Sequence, residues 1–389
     1  MEPKIRFKGF EGEWKTQSLS DYNFSIIAGG DVDKKLLQNN GKYPVIANAL
    51  TNDGILGYYM DSFRVNGPAV TVTGRGDIGV AIARHYSFTP VVRLLSIKSN
   101  HNVDFLANAI NCYKATKEST GVPQLTTAKL QEYRIPIPKE MDEENAIASY
   151  FTSLDSQISA STSRLASLKQ MKAASLQAMF PQEGETVPKI RFKGFEGEWK
   201  KVKFSDIACI FRGLTYSPND IVKDGVRVLR SSNIDEDTFV LTTSDVFVSY
   251  ECVNIDYIHK NDILITAANG SSRLVGKHTL VKKLDNKMQV AGGFMLRVIS
   301  NESEFLNASM NTCWYKKVLQ TCVAGGNGAI GNLNKNDLSN TSFYIPKEKE
   351  ERDAIASYFT SLDHQISLQT QRLEKLKQIK SACLDKMFV

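Results

Sequence analysis

The feature that most constrains this chain is an internal duplication. The segment PKIRFKGFEGEWK occupies Pro3–Lys15 and recurs unchanged at Pro188–Lys200, 185 residues later. A second block, AIASYFTSLD, occupies Ala146–Asp155 and recurs at Ala354–Asp363, 208 residues later. Between these blocks the two copies look almost unrelated. Neutral drift after a duplication would spread the changes evenly, so the pattern favours one shared scaffold that presents two different inserts.

Each copy ends in a long amphipathic helix. Acidic residues follow a proline-containing exit, as suits a helix N-terminus, and no Pro or Gly interrupts Asp142–Phe180 or Arg352–Phe388. Apolar residues then recur at steps of three and four, close to a coiled-coil seam. This stripe contains Ile147, Phe151, Leu154, Ile158, Leu165 and Leu168 in the first copy and Ile355, Phe359, Leu362, Ile366, Leu373 and Leu376 in the second.

A helix with a single apolar stripe needs a partner, and the helix of the other copy is the obvious one. The pattern alone permits parallel or antiparallel packing. Two polar members of the seam, Ser161 and Gln369, fit register-setting, contact with another subunit or plain solvation. The resulting division is a globular domain at 1–139, a helix at 140–180, a polar linker at 181–187, a second domain at 188–347 and a second helix at 348–389.

The two inserts, roughly Thr16–Pro138 and Lys201–Pro346, mix short β-like runs with turn clusters. In each insert the last predicted strand, Val91–Ile97 or Gly293–Ile299, precedes a predicted helix. These helices are expected at Val103–Ala115 and Glu302–Cys322. The predicted fold class is therefore α+β, with two globular α+β domains and two long helices in an internally duplicated chain.

Composition narrows the class of protein but does not identify it. With 42% hydrophobic and 23% charged residues the chain is typical of a globular protein. Its formal charge of +6 suggests some affinity for a polyanion. No apolar run is long enough to span a membrane, and the first fifteen residues lack the apolar core of a signal peptide. Six scattered cysteines form no CxxC pair, which favours reduced thiols in a cytoplasmic protein.

Glycine-rich polar turns are the candidate sites for binding nucleic acid. TGRGDIG covers Thr73–Gly79 and ANGSSRLVG covers Ala268–Gly276, and similar turns lie near the domain exits at Ser119–Leu125 and Gly325–Leu333. Glycine allows close approach to a phosphate, while arginine can neutralise phosphate or pair with guanine. Each turn alone could be an ordinary hairpin loop, but the type recurs at matching points of both inserts. The candidate contact residues are Asn48, Asn52, Arg75, Asp77 and Arg84 in the first insert and Arg230, Asn233, Asn269, Ser272, Arg273 and Lys277 in the second.

Several catalytic motifs are considered and rejected. Gly74–Gly79 matches the dinucleotide fingerprint in letters, but it lies between two strands rather than before a helix. Gly270–Lys277 has the wrong glycine spacing for a phosphate loop, and His278 replaces its Ser or Thr. The five histidines show no metal-ligand spacing. Trp14 and Trp199 lie in the repeated segment, which favours packing over base stacking. We therefore expect no cofactor and no metal.

The ordered combination of FEGEW segment, variable insert, IPIP exit and long helix, present twice, resembles the specificity (S) subunit of a bacterial Type I restriction-modification system. GFEGEW at Gly9–Trp14 and Gly194–Trp199, the TGRGDIG turn and the AIASYFTSLDxQI helix openings carry the resemblance, which covers nearly the whole chain. It implies two target-recognition domains that each read half of a gapped, bipartite site in double-stranded DNA.

The resemblance further implies antiparallel helices that set the gap and dock two methylating modification subunits, with restriction subunits joining the full complex. S-adenosylmethionine and ATP would then belong to those partners. The second insert departs from the pattern, since Asn269–Arg273 stands where the first insert has Gly74–Asp77. The entrance turn also differs, IAGGDVD at Ile27–Asp33 against FRGLTYS at Phe211–Ser217.

Two other classes of function remain open at this stage. One is a restriction-modification enzyme with its own methyltransferase or nuclease site, which methyl transfer by the chain alone would reveal. The other is a protein-binding or sugar-binding protein, whose affinity would ignore salt, whereas phosphate contacts weaken as salt rises. For the DNA-reading hypothesis we expect two half-sites on one DNA face, about one helical turn apart.

Overall fold

The computed structural model describes residues 2–113, 124–323 and 332–388. The chain divides into two units: the first unit contains residues 1–163 and 370–389, and the second contains residues 164–369. The α+β class is confirmed, since each unit holds short-stranded sheets, short helices and a part of both long helices. Among the described residues no helix is long and apolar enough to cross a membrane.

The first unit is built on a four-stranded antiparallel sheet in the order β2-β8-β5-β6 and a three-stranded sheet in the order β4-β3-β7, in which β3 and β7 are parallel. β1 and β9 close the base of the domain as an antiparallel pair. The elements are β1 (Lys15–Ser18), β2 (Phe24–Ala28), β3 (Tyr43–Ile46), β4 (Ile55–Tyr59), β5 (Ala69–Thr73), β6 (Ala81–Arg84), β7 (Thr89–Pro90), β8 (Leu94–Ser99), α1 (Val103–Cys112), α2 (Thr127–Gln131), β9 (Arg134–Ile137) and α3 (Met141–Met179).

The second unit repeats this plan. Its main sheet has the order β11-β20-β17-β18, its second sheet the order β12-β16-β13-β19 with β13 and β19 parallel, and β10 pairs with β21. A small β14-β15 hairpin is added. The elements are β10 (Lys200–Lys203), β11 (Cys209–Arg212), β12 (Ile221–Val222), β13 (Val226–Leu229), β14 (Ile234–Asp235), β15 (Thr238–Phe239), β16 (Val246–Val248), β17 (Ile263–Thr266), β18 (His278–Leu280), β19 (Gln289–Ala291), β20 (Met295–Ile299), α4 (Ser303–Ser309), α5 (Cys313–Val323), α6 (Lys335–Asn340), β21 (Ser342–Ile345) and α7 (Lys349–Met387).

Four predicted boundaries were wrong. The helix predicted at Val103–Ala115 ends at Cys112, and residues 114–115 lie outside the described residues. The helix predicted at Glu302–Cys322 is two helices, α4 and α5, because the backbone bonds Asn311 N to Ala308 O and Thr312 N to Ser309 O tighten the chain into a turn. The strands predicted to start at Val91 and Gly293 start at Leu94 and Met295, after tight turns. The long helices were predicted within three residues of their observed ends.

An aromatic cluster around a repeated tryptophan closes each core. In the first unit Trp14 lies edge-on to Phe105 and Phe388, with ring centroids 5.8 and 6.2 Å away. In the second unit Trp199 lies 5.8 Å from Phe180, which also packs on Phe305. Both tryptophans are 3% exposed, which confirms that they pack in the core. The end of α7 thus completes the first core, and the end of α3 completes the second.

The long helices pack antiparallel within each unit, and the same pairs occur twice. In the first unit Tyr150 Oη lies 3.4 Å from Cys383 Sγ, and in the second Tyr358 Oη lies 2.9 Å from Ser175 Oγ. Tyr150 and Tyr358 are 208 residues apart, as are Ser175 and Cys383, so the two contacts are equivalent. Lys380 pairs with Asp155 at 2.5 Å in the first unit and Lys172 with Asp363 at 2.9 Å in the second. All twelve predicted stripe residues are buried or half-buried.

Ser161 and Gln369, the two polar seam members, are both buried. The alternative that they are solvated was therefore wrong. Each has a partner in the structure.

Candidate nucleic-acid interface

In the first unit, the loops after β3 and β5 and the turn before β8 are joined through backbone and amide hydrogen bonds. Asn48 Nδ2 donates to Arg75 O at 2.7 Å, and Asn48 Oδ1 accepts from Gly74 N at 2.7 Å. Gly74 N also donates to Arg93 O at 2.9 Å. A side chain at Gly74 would place its Cβ 2.5 Å from Arg93 O, so glycine is required for this close approach. We name residues 47–54, 74–77 and 91–93 the first loop cluster.

Within the first loop cluster, Arg75 and Asp77 are available for binding. Arg75 is half-buried and Asp77 is exposed. Gly76 between them has φ of +75°, the left-handed conformation that favours glycine. Among the described residues the Arg75 guanidinium has no hydrogen-bond or ion-pair partner. A positive group held on a braced turn without an internal partner suits phosphate or a base edge.

Arg84 lies inside the domain rather than on its surface. It is 2% exposed, its Nη1 lies 2.5 Å from Asp53 Oδ2, and its Nε donates to Thr71 Oγ1 at 3.1 Å. Asn52 and Asp53 both have φ near +50°, a conformation that non-glycine residues rarely adopt. The buried arginine thus stabilises this turn, on which Asn52 is exposed. The expectation that Arg84 itself contacts DNA is therefore corrected to a positioning role.

The second unit joins its loops at the corresponding points. Asn269 Nδ2 donates to Ser231 Oγ at 3.1 Å, which links the loops after β13 and β17. Ala267 N and Ala268 N donate to Phe294 O at 2.8 and 3.2 Å, which links the β17 loop to the turn before β20. We name residues 230–233, 267–274 and 292–294 the second loop cluster.

Asn233 is the second predicted contact that the structure places in the interior. It is 0% exposed; its Oδ1 accepts from Arg230 N, and its Nδ2 donates to Asp245 Oδ1 at 2.8 Å. It holds the turn from which the Arg230 side chain leaves. We correct its expected role to positioning, because no side-chain atom is presented to a ligand.

The remaining predicted residues of the second unit lie closer to the surface. Ser272 and Arg273 form an exposed 3-10 turn after β17, and Lys277 at its end is half-buried. Behind this turn Tyr315 Oη donates to Gly276 O at 2.9 Å, and burial raises the pKa of Tyr315. Burial also lowers the pKa of His278, so the imidazole is neutral and serves as a core residue. These buried groups hold the base of the exposed turn.

The second loop cluster borders a groove of about 620 Å³. Its walls include Tyr216, Arg230, Asn269 and Phe294, and none of the described residues that line it is acidic. The Arg230 Nε atom is buried without a hydrogen-bond partner among the described residues. Sequence reasoning missed Phe294, Arg93 and Tyr216. An aromatic residue directly after a glycine pair was the available signal for Phe294.

Two of the predicted loops lie largely outside the described residues. Of Ser119–Leu125 only Gln124 and Leu125 are described, and of Gly325–Leu333 only Asn332 and Leu333. Those ends pair with the clusters, since Gln124 bridges to Arg75 and Asn332 bridges to Ala268.

Comparisons with known proteins agree with the duplication. The model of the Type I restriction modification DNA specificity domain matches residues 11–170 and again residues 196–378. A type I specificity subunit of Mycoplasma pneumoniae is 34% identical over 131 residues, which cover 32% of this chain and 36% of that protein. Another from the same organism is 29% identical over 167 residues, 40% of this chain and 50% of that one. The matched stretches thus span half or less of these two relatives.

A solved structure shares the fold across the whole chain. The crystal structure of a Type I restriction-modification system S subunit from M. genitalium aligns with a TM-score of 0.70 and 15% identity, covering 100% of this chain and 99% of that one. At this level of identity the likeness shows the fold alone. It does so for all elements, including both long helices.

Proposed function

Because the chain belongs to the Type I restriction-modification DNA specificity family, we propose that it is the DNA-recognition subunit of such a system and that each loop cluster reads one half of a split site. The observation that carries the proposal is the combination of equal architecture and unequal loops. Both units join three corresponding loops by hydrogen bonds, of which Gly74 N to Arg93 O and Ala267 N to Phe294 O are equivalent, yet the exposed side chains differ. Two readers of one design with different surfaces suit two different half-sites.

The contacts that we propose follow from exposure. The first cluster would use Arg75, Asp77 and Asn52, and the second Arg230, Asn269, Ser272 and Arg273, with Lys277 beside it. Cationic groups would place the protein on the phosphates, and amide, carboxylate and guanidinium groups would read base edges. Asn48, Arg84 and Asn233 would act by holding these loops.

The long helices would bind the partner subunits and set the length of the gap. Beyond their first two turns the helices expose Ser149, Thr152 and Ser153 in one copy and Ser357 and Ser361 in the other, where the equivalent Thr360 is half-buried. These surface positions are identical although the inserts have diverged, and a surface that must bind the same partner twice would remain so. We infer that each copy docks one modification subunit, with restriction subunits joining the complex.

On this proposal the chain itself performs no chemistry, and methyl transfer and cleavage belong to its partners. A subunit that acts with them on cellular DNA would work in the cytoplasm. No observation favours a methyltransferase or nuclease site in this chain. Methyl transfer by the purified chain alone would contradict the proposal.

The decisive experiment is methylome sequencing of cells that express the chain with its methylating subunit. A split methylated motif is expected. Replacement of residues 16–138 by the insert of a related subunit should change one half of that motif and leave the other half intact. A matched replacement of residues 201–346 should change only the other half. A change of both halves by either replacement would contradict the division of labour.

A further inference from the structure

The turn before the central strand occupies the same structural position in both units. In the first unit Arg93 O faces Gly74 N, and Leu94 O accepts from Gly29 N at 2.8 Å. In the second unit Phe294 O accepts from Ala267 N, and Met295 O accepts from Gly213 N at 3.1 Å. β8 and β20 then pair with β5 and β17 in the same register, Thr73 with Leu94 and Thr266 with Met295. Arg93 and Phe294 are therefore equivalent residues.

Phe294 is a rigidly held residue with a free side chain. Its carbonyl accepts two backbone hydrogen bonds, while its side chain is 75% exposed at the rim of the 620 Å³ groove. The neighbouring glycine backbone is tightly packed, since a Cβ on Gly213 would lie 1.9 Å from Gly292 O. An aromatic side chain left this exposed on a fixed turn gains nothing from the folded domain. Its apolar surface is thus available for a ligand.

Arg93 is presented in the same way. It is exposed and has φ of +73°, in the left-handed region. Among the residues that the structure describes, its guanidinium has no hydrogen-bond or ion-pair partner. The same backbone position therefore offers a cationic donor in one unit and an apolar ring in the other.

We propose that Arg93 and Phe294 are equivalent specificity-determining residues, the first reading guanine and the second contacting the methyl group of thymine. This inference rests on the proposed function and assigns one base position in each half-site. Arginine donates in bidentate fashion to guanine O6 and N7, and phenylalanine packs on the C5 methyl of thymine. Among the described residues that line the Phe294 groove, Arg230 is the charged one, which favours a polyanion as the occupant.

The test uses the chain with its methylating subunit and sequences the methylome for each variant. Phe294→Ala should relax one thymine position in the second half-site, with discrimination reduced about tenfold, and Phe294→Arg should shift that position toward guanine. Arg93→Ala should relax one guanine position in the first half-site. Tyr250→Ala is the matched control, because Tyr250 is a 58% exposed aromatic of the second unit that does not line the groove.

Each outcome is decisive. The half-site that a variant does not touch reports that the protein has folded and assembled. If the wild-type motif is split and Phe294→Ala and Arg93→Ala leave it unchanged, or relax all positions equally, the inference is overturned and the proposed function stands. If the wild-type complex yields no split motif, the proposed function fails and this inference fails with it.

Discussion

The two units can be compared at the polar contacts between the long helices and the domains. One of these contacts is the same in both units, and another differs. Arg6 binds Glu143 at 2.6 and 2.7 Å, and Arg191 binds Glu351 at 2.8 and 2.7 Å in the equivalent place. At one helix-to-domain contact, however, the helix residue has the opposite sign in the two units. Glu144 accepts from Asn102 N and pairs with His101 in the first unit, whereas the second has Arg352 donating to Glu302.

This reversal teaches that the fold constrains complementarity rather than residue identity. A buried carboxylate and a buried guanidinium can serve the same junction as long as each has a partner that completes its hydrogen bonds. Contacts among residues that come from the repeated frame alone, such as Arg6–Glu143, remain the same in both copies. Where a residue of the frame contacts a residue of an insert, the two residues can change together.

The largest expected effects concern the aromatic ends of the long helices. Phe180→Ala should destabilise the second unit by about 3–5 kcal/mol, because it empties a fully packed site. Phe388→Ala should cost the first unit less, because Phe388 is 9% exposed whereas Phe180 is 2% exposed. Urea unfolding followed by fluorescence of single-tryptophan variants, Trp14 for the first unit and Trp199 for the second, measures each. Equal losses of unfolding free energy in the two units would contradict this expected difference.

The repeated ion pair should show equal effects in the two units. Glu143→Gln and Glu351→Gln each remove a buried carboxylate that accepts two hydrogen bonds from a partly exposed arginine. We expect a loss of about 2–3 kcal/mol in each case. The measurement is the same urea unfolding, with the exposed Glu140→Gln as control. A difference above about 1 kcal/mol between the two variants would show that the junctions are not equivalent.

A smaller asymmetry should distinguish the two tyrosine contacts between the helices. Tyr358→Phe removes a hydrogen bond to Ser175 Oγ, while Tyr150→Phe removes a longer one to Cys383 Sγ, a weaker partner. We expect a loss of about 1 kcal/mol for Tyr358→Phe and less for Tyr150→Phe. Cys383→Ser should raise the cost of Tyr150→Phe toward that of Tyr358→Phe in a double-mutant cycle. No coupling in that cycle would refute the interpretation.

The smallest effect is a pH dependence confined to the second unit. Burial raises the pKa of Asp237, but the nearby Lys172 ammonium outweighs it and holds that pKa below its ordinary 3.8. A lowered carboxylate pKa gives stability that is complete above that ordinary value and is lost as pH falls through the folded value. Because the carboxylate is half-exposed, Asp237→Asn should cost under about 1 kcal/mol at pH 7. Urea unfolding should show a smaller cost at pH 3 than at pH 7; a cost independent of pH would contradict the assignment.

The scaffold could be predicted well because its signals are repeated and periodic. The duplicated blocks, the helix limits and the packing of Trp14 and Trp199 all followed from the sequence. The direction of helix packing did not follow from the residues, since a stripe of steps three and four suits either direction. Contacts such as Lys172 with Asp363 decide it.

The DNA contacts remain a prediction, but two of the candidate residues do not lie at the surface as expected. Arg84 and Asn233 were expected at the surface because polar strand-end residues usually lie there. Their burial depends on Asp53 and Asp245, distant in sequence, and such pairing leaves no local pattern. Phe294 was read as part of a strand for a similar reason, because an apolar residue beside a strand gives no sign of its exposure.

An equivalent backbone hydrogen bond holds the start of the repeated segment in each unit. Ile5 N donates to Lys386 O at 3.0 Å, and Ile190 N donates to Ala178 O at 2.9 Å. In the second unit the linker at 181–187 lies between the two bonded residues, whereas in the first unit the bonded residues are far apart in the sequence. A circular permutant that is joined by a copy of that linker between Phe388 and Pro3, and opened within 181–187, should keep the described contacts of both units other than those that the opened linker itself makes. The order of the two copies along the polypeptide is therefore not what holds either unit together.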